Sequence, residues 1–157
     1  MLAQLQNTFY KKEKDIKEQW FLIDCKDKVL GKVASKAANI LRGKNDFHYT
    51  PHMPNKNHLI LINADQIVMT GNKISDNTRK CKYELRHTGY MGGLKSTPTR
   101  EILNSKNLSR IVKWFKHKVI QNMLPGNKSR NNILKKCHIY IDDKHKHTNH
   151  KIQTVAV

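Results

Sequence analysis

The sequence predicts a small α/β sandwich. Two short apolar runs with strand character, Trp20-Phe21-Leu22-Ile23 and Leu59-Ile60-Leu61-Ile62, bracket a stretch of helical period from Val29 to Arg42. Strand, helix and strand within about 45 residues make a βαβ unit, which implies parallel strands and a right-handed crossover. A length of 157 residues suits one domain with a sizeable core.

Residues 1–19 carry mixed charges, Lys11-Lys12-Glu13-Lys14-Asp15 among them, without the apolar run of a secretory signal or the arginines of a transit peptide. They are expected to form a basic extension, with a short helix, on a partner's surface. Trp20 to Ile23, stopped by Asp24, reads as a buried strand. In the next segment Val33, Ala37 and Ile40 with Ala34, Ala38 and Leu41 share one helical face, and Gly43 supplies the stop. A loop with Pro51 and Pro54 leads to Leu59-Ile62, a branched run suited to a strand covered on both faces. Ile67-Val68-Met69 reads as a further short strand, and Gly71 to Gly93 as a long functional loop. Thr97 and Pro98 have the pattern of a helix start, with Thr as cap. A longer helix is expected from about Ser109 to Met123, with Ile111, Val112, Phe115, Val119 and Ile120 on its core face, ended by Pro125-Gly126. His138-Ile139-Tyr140-Ile141 is the last expected strand. The domain thus spans 20–142, followed by a His- and Lys-rich tail, 143–157.

Charge narrows the function. Thirty Lys and Arg against 12 Asp and Glu leave a formal charge of +18, and such a surplus calls for an anionic partner, with polyphosphate the usual one. No apolar run approaches the ~18 residues of a membrane-spanning helix. Cysteines at 25, 81 and 137 form no close pair, which excludes a disulfide scaffold or zinc ribbon. Lys, Asn and Ile together make 53 of the residues, and their A- and T-rich codons point to an AT-rich genome such as an organelle's.

The stretch Arg86-His87-Thr88-Gly89-Tyr90-Met91-Gly92-Gly93-Leu94-Lys95 carries most information. Its glycines permit positive φ, its N–H groups with Arg86, Thr88 and Lys95 suit phosphate oxygens, and Tyr90 or His87 suits stacking on an unpaired base. A nucleotide-binding Gly loop would need a helix directly after it, and Ser96-Thr97-Pro98 starts one too late. A plain surface turn is the remaining reading. Arg42-Gly43-Lys44 leading to His48-Tyr49-Thr50-Pro51-His52 is a second RNA-suited cluster, and Lys128, Arg130, Lys135 and Lys136 a third. Cys137, His138, His145, His147 and His150 invite a zinc reading, but their spacing matches no compact site and the intervening lysines repel a cation. Asp24 and Asp65 stand at strand ends, where α/β enzymes keep catalytic groups, yet turn and cap roles account for both. No catalytic constellation emerges.

Eight motifs stand in order: Trp20 to Asp24; Leu30-Gly31-Lys32-Val33-Ala34-Ser35; Leu41-Arg42-Gly43-Lys44; Tyr49-Thr50-Pro51-His52; Ile62-Asn63-Ala64-Asp65; Thr70-Gly71-Asn72-Lys73; His87 to Lys95; and Met123-Leu124-Pro125. Together they resemble the family of large-subunit ribosomal protein thirteen in its bacterial and organellar form. The resemblance implies a three-layer α/β/α sandwich around a small, mainly parallel four-stranded sheet. It implies no catalysis, no cofactor and no metal, but a structural constituent of the large ribosomal subunit. Such a protein binds large-subunit ribosomal RNA, supports early assembly and touches neighbouring ribosomal proteins, with no membrane or small-molecule substrate. Carried over, the RNA-binding residues are Arg42, Lys44, Tyr49, His52, Lys73, Arg86, His87, Thr88, Gly89, Tyr90, Gly92, Gly93, Lys95, Lys128, Arg130 and Lys136, with the tail pair His145 and His147. The loop between Lys73 and His87 is several residues longer than in relatives. With the composition, this departure points to a mitochondrion first, a plastid second and a bacterial cytoplasm last. The alternative is a nucleotide-binding or phosphodiester-cleaving enzyme that uses the Gly-rich loop.

Overall fold

β1 (Gln19–Asp24) and β2 (Asn57–Ile62) lie side by side in parallel, with Trp20 opposite His58 and Ile23 opposite Leu61. β5 (Cys137–Ile139) adds to the far edge of β2 and β6 (Ile152–Thr154) to the far edge of β1, again in parallel. The result is a four-stranded parallel sheet of order β5-β2-β1-β6. This computed structural model describes residues 12, 14, 16–47, 49–71, 73–74, 81–105 and 107–157. His48, Asn72, residues 75–80 of the lengthened loop and most of the expected extension (1–11, 13 and 15) lie outside the described residues.

Side chains alternate across the sheet with period two. Phe21, Ile23, Leu59, Leu61 and Cys137 join the main core, packed against the helices. Trp20, Ile60 and Ile62 form a second cluster on the opposite face with Leu22, Tyr140 and Ile152. The continuous apolar run of β2 therefore serves both faces, as its sequence requires. Among the described residues no helical side chain joins the second cluster.

The helix α1 (Leu30–Arg42) buries Leu30, Val33, Ala34, Ala37, Ala38, Ile40 and Leu41, the stripe its period announces. Its first turn has no side-chain cap; instead the Val68 carbonyl accepts the Leu30 N–H at 2.9 Å. Val68 makes only a single parallel bridge, to Val29, so the expected strand at 67–69 is a strap across the helix start. Ile67 and Met69 face inward, which explains the strand-like pattern. At the other end Gly43 takes the left-handed conformation, φ 83°, and donates to the carbonyls of Asn39 and Ile40.

The expected loop at 71–93 is corrected in its second half, where β3 (Tyr83–His87) pairs antiparallel with β4 (Leu94–Pro98) in a separate ribbon. The helix start is corrected by one residue: α2 (Thr99–Leu103) begins after Pro98, which still belongs to β4. Thr97, the expected cap, lies within β4, and the Thr99 hydroxyl donates to the Lys82 carbonyl at 2.9 Å. The long helix is α3 (Leu108–Trp114), a π-helical turn (Phe115–Ile120) and α4 (Gln121–Met123) in continuous right-handed backbone. Five residues on, Phe115 and Ile120 would stand roughly 140° apart on an ideal α-helix. The wider turn brings both into the core. After Pro125 comes α5 (Arg130–Lys135), where only a turn was expected.

Candidate RNA interface

The first site is a groove of about 420 Å³ between the loop after α1 and the segment carrying α5. The Arg42 Nε donates to the Tyr49 Oη at 2.9 Å, and its guanidinium carbon lies 5.9 Å from the ring centre. Cation and aromatic ring are thus held as a unit on one wall, beside Pro51 and His52. Lys136, with Asn132 and Ile133, stands on the other. Its Nζ donates to the Asn55 carbonyl and so ties the two walls together. Burial, helped by the charge of Lys56, holds the Lys136 ammonium below its ordinary pKa. Arg130 turns back on its own chain, its Nε donating to the Pro125 carbonyl at 2.9 Å and its Nη2 to that of Leu124 at 3.3 Å. Lys44 and Lys128 are exposed. Arg42, Tyr49 and His52 of the second cluster thus meet Lys136 of the third, although they are apart in sequence.

The second site is the ribbon of β3 and β4. Arg86 stands directly opposite Lys95, and His87 opposite Leu94. Like charges facing each other across two strands repel, and that arrangement is relieved when an anion lies between them. The connection Thr88 to Gly93 turns sharply, with Gly89 at φ 93° and Gly92 at φ 71°. The Thr88 N–H bonds the Gly93 carbonyl at 3.0 Å, and the Gly93 N–H bonds that of Tyr90 at 2.9 Å. The Gly89 N–H bonds the His87 Nδ1 at 3.0 Å. Those three amides are used within the turn, and the side-chain cations Arg86 and Lys95 stand beside it. The turn pushes Tyr90 and Met91 outward, at 81% and 103% exposure.

A cleft at the foot of this ribbon brings Lys73 together with Lys82 and Lys118. Lys118 is paired with Glu84 at 2.5 Å. Along the ribbon's flank Arg110, Lys113 and His117 line a further groove with Arg86. These three residues were missed, although their spacing of three and four residues places them on one stripe of α3 and the turn that follows.

His145 and His147 lie on the far side of the sheet, half-buried. His147 packs at 4.9 Å from Trp20 and 6.1 Å from Tyr140, and His145 at 6.4 Å from Tyr140. They join neither the groove nor the ribbon. Among the described residues no three or more metal-ligating side chains are arranged to hold an ion. Asp24 accepts the Lys26 N–H at 3.0 Å and the Asn63 Nδ2 at 2.8 Å, bonds that hold its carboxyl below the usual range and fix a turn. Burial pushes the Cys25 and Cys137 thiols up to about 12, which leaves them poor nucleophiles.

A family model described as ribosomal protein L13 matches residues 18–146. Large ribosomal subunit protein uL13 of Mycoplasma genitalium is 42% identical over 135 residues, covering 85% of this chain and 86% of that protein. The uL13 proteins of Thermobifida fusca and of a Francisella tularensis strain are 40% and 39% identical, over 89% and 90% of this chain and 87% and 92% of their own lengths.

Proposed function

The chain belongs to the ribosomal protein L13 family, and from that premise we propose that it binds large-subunit ribosomal RNA and supports early assembly of the subunit. Family membership makes it a structural component of the ribosome and leaves the enzyme reading without support.

The RNA reading is carried by the exposed β3–β4 ribbon, where Arg86 and Lys95 face each other beside Tyr90. Two cations set opposite suit one phosphate, and an outward tyrosine suits an unpaired base next to it. The groove holding Arg42, Tyr49, His52 and Lys136 offers a second contact of the same chemistry. Lys44, Lys73 and Lys128 add cations around these two sites. Arg130 supports the groove by holding the turn at Pro125, and His145 and His147 act from the opposite side of the sheet.

The compartment we propose is an organelle, the mitochondrion before the plastid. The content of Lys, Asn and Ile supports it; the relatives compared are bacterial. Residues 1–19 are proposed as an appendage of the domain, lying on a neighbouring ribosomal protein or RNA; the segment 143–157, expected as a tail outside 20–142, carries β6 and so contributes a strand to the domain's sheet.

Sedimentation of the native protein from a cell extract, with and without ribonuclease, tests the assignment. Comigration with large subunits that ribonuclease abolishes is the expected result, and the same sample fractionated by organelle names the compartment. A free, ribonuclease-insensitive protein near 18 kDa would overturn it.

A further inference from the structure

The face of the sheet turned away from the helices carries a stack of rings. The Trp20 indole lies between His58, at 4.3 Å and 15° between planes, and His150, at 4.1 Å and 12°. His147 lies 4.9 Å from the indole and 4.4 Å from His138, and His138 is itself 5.9 Å from Trp20. His58 and His138 belong to β2 and β5, within the sheet, while His147 and His150 come from the segment that leads to β6. The indole is therefore the surface on which imidazoles of the sheet and of the tail are joined. β6 itself has only three residues, pairs with β1 alone, and is prolonged by one bond from the Val155 N–H to the Leu22 carbonyl at 2.9 Å. So short an edge strand depends on whatever else fastens the tail.

We propose that the imidazole stack on Trp20 is a proton-operated latch. It holds the tail and β6 against the sheet while the rings are neutral and releases them when several rings are charged. Neutral imidazoles stack as aromatic rings do. A single imidazolium over an indole is tolerated, being a cation over a π face. Several imidazoliums within 4.1 to 6.5 Å of one another and of the indole repel. The buried nitrogens His58 Nδ1, His145 Nδ1 and His147 Nε2 also have no hydrogen-bond partner, so a proton added there meets no acceptor.

The groups that face the stack are mixed in sign. The Glu18 carboxylate, 3.6 Å from the His58 Nε2 and bonded to the Trp20 Nε1 at 2.9 Å, favours charging of His58. Lys136 and Lys116 oppose charging of His58 and His138 respectively; His150 and His147 also oppose it at His58, His147 and His58 at His138, and His150 and His145 at His147. Burial, the largest influence on each, lowers the pKa of His58 and His147 and brings His138 to about 4. A histidine held low in the closed form binds protons more readily once released. The latch is thus fully closed above the ordinary value of 6.5 and weakens as pH falls toward 4.

Hydrogen exchange of the full chain, corrected for the intrinsic pH dependence of exchange, tests this at pH 7.5 and pH 5. Release of the tail takes His147 and His150 away from His58 and His138 and so relieves part of what opposes protonation, which favours release as pH falls. Amides of 152–157 are therefore expected to lose several-fold in protection, while those of α1 and β2 keep theirs. A smaller loss in the tail, or a loss in step with α1 and β2, would overturn the latch. His147→Phe with His150→Phe keeps aromatic rings on Trp20 and removes two of the protonation sites. That variant is expected to hold its tail at pH 5 better than the parent; release at the same pH and to the same extent would also overturn the proposal. Should the variant fail to fold, the exchange of the parent protein decides alone.

Discussion

Gly92 sits at φ 71° with open space where a Cβ would point, so the whole penalty of replacing it is backbone strain. Gly92→Val is expected to cost about 1–2 kcal/mol locally, at the tip of a ribbon whose melting the main core does not feel. The expected outcome is a melting temperature within a few degrees of the parent and a several-fold loss of affinity for a large-subunit RNA fragment. Thermal denaturation beside filter binding measures both; equal loss in the two would remove the turn from the interface. Gly43 differs, because its Cβ would strike the Asn55 side chain at 2.0 Å as well as strain the backbone. The residue types at these positions were legible in the sequence. What was not legible is which polar groups the chain uses on itself, such as Arg130 on the carbonyls of Leu124 and Pro125. A cation's identity gives its charge but not its partner, and partners depend on turns closed after the fold forms.

At the scale of elements, legibility follows burial. The helix α1 and the strands β1 and β2 bury one or both faces, so hydrophobic period reveals them. The ribbon of β3 and β4 exposes Leu85 and Leu94 and carries charges between, which erases the contrast that marks a strand. β6 is three residues with two polar side chains, and α5 buries only Leu134. Neither gives a periodic signal over so short a span. The π-helical turn has no signature in residue type; it exists because Ile111, Trp114, Phe115 and Ile120 must all reach the core. Phe115 is almost fully buried there. Phe115→Ala is expected to cost about 3–5 kcal/mol, read as a lower midpoint in urea denaturation with an unchanged slope. A cost below ~1 kcal/mol would mean that the turn reverts to α-helix and refills the gap.

For the whole molecule, a formal charge of +18 favours long-range attraction to any polyanion, so the test of the proposed RNA interface is its location. Neutralising a lysine that meets phosphate lowers the salt slope of binding by a little under one per residue removed. Lys44→Gln with Lys128→Gln is therefore expected to reduce the slope of log affinity against log salt by about one to two. An unchanged slope would take both off the interface. Parallel topology has a further effect, on the order of events as the protein is made. Trp20 pairs with Ile152, roughly 130 positions later, so β1 emerges from synthesis long before its second neighbour exists. A nascent chain can close β2 onto β1 early, but the other edge of β1 stays open until residues 152–154 have been added. That open edge is the place where an unfinished or clipped chain would pair with another copy. Prompt docking of β6 closes that edge to other copies of the chain.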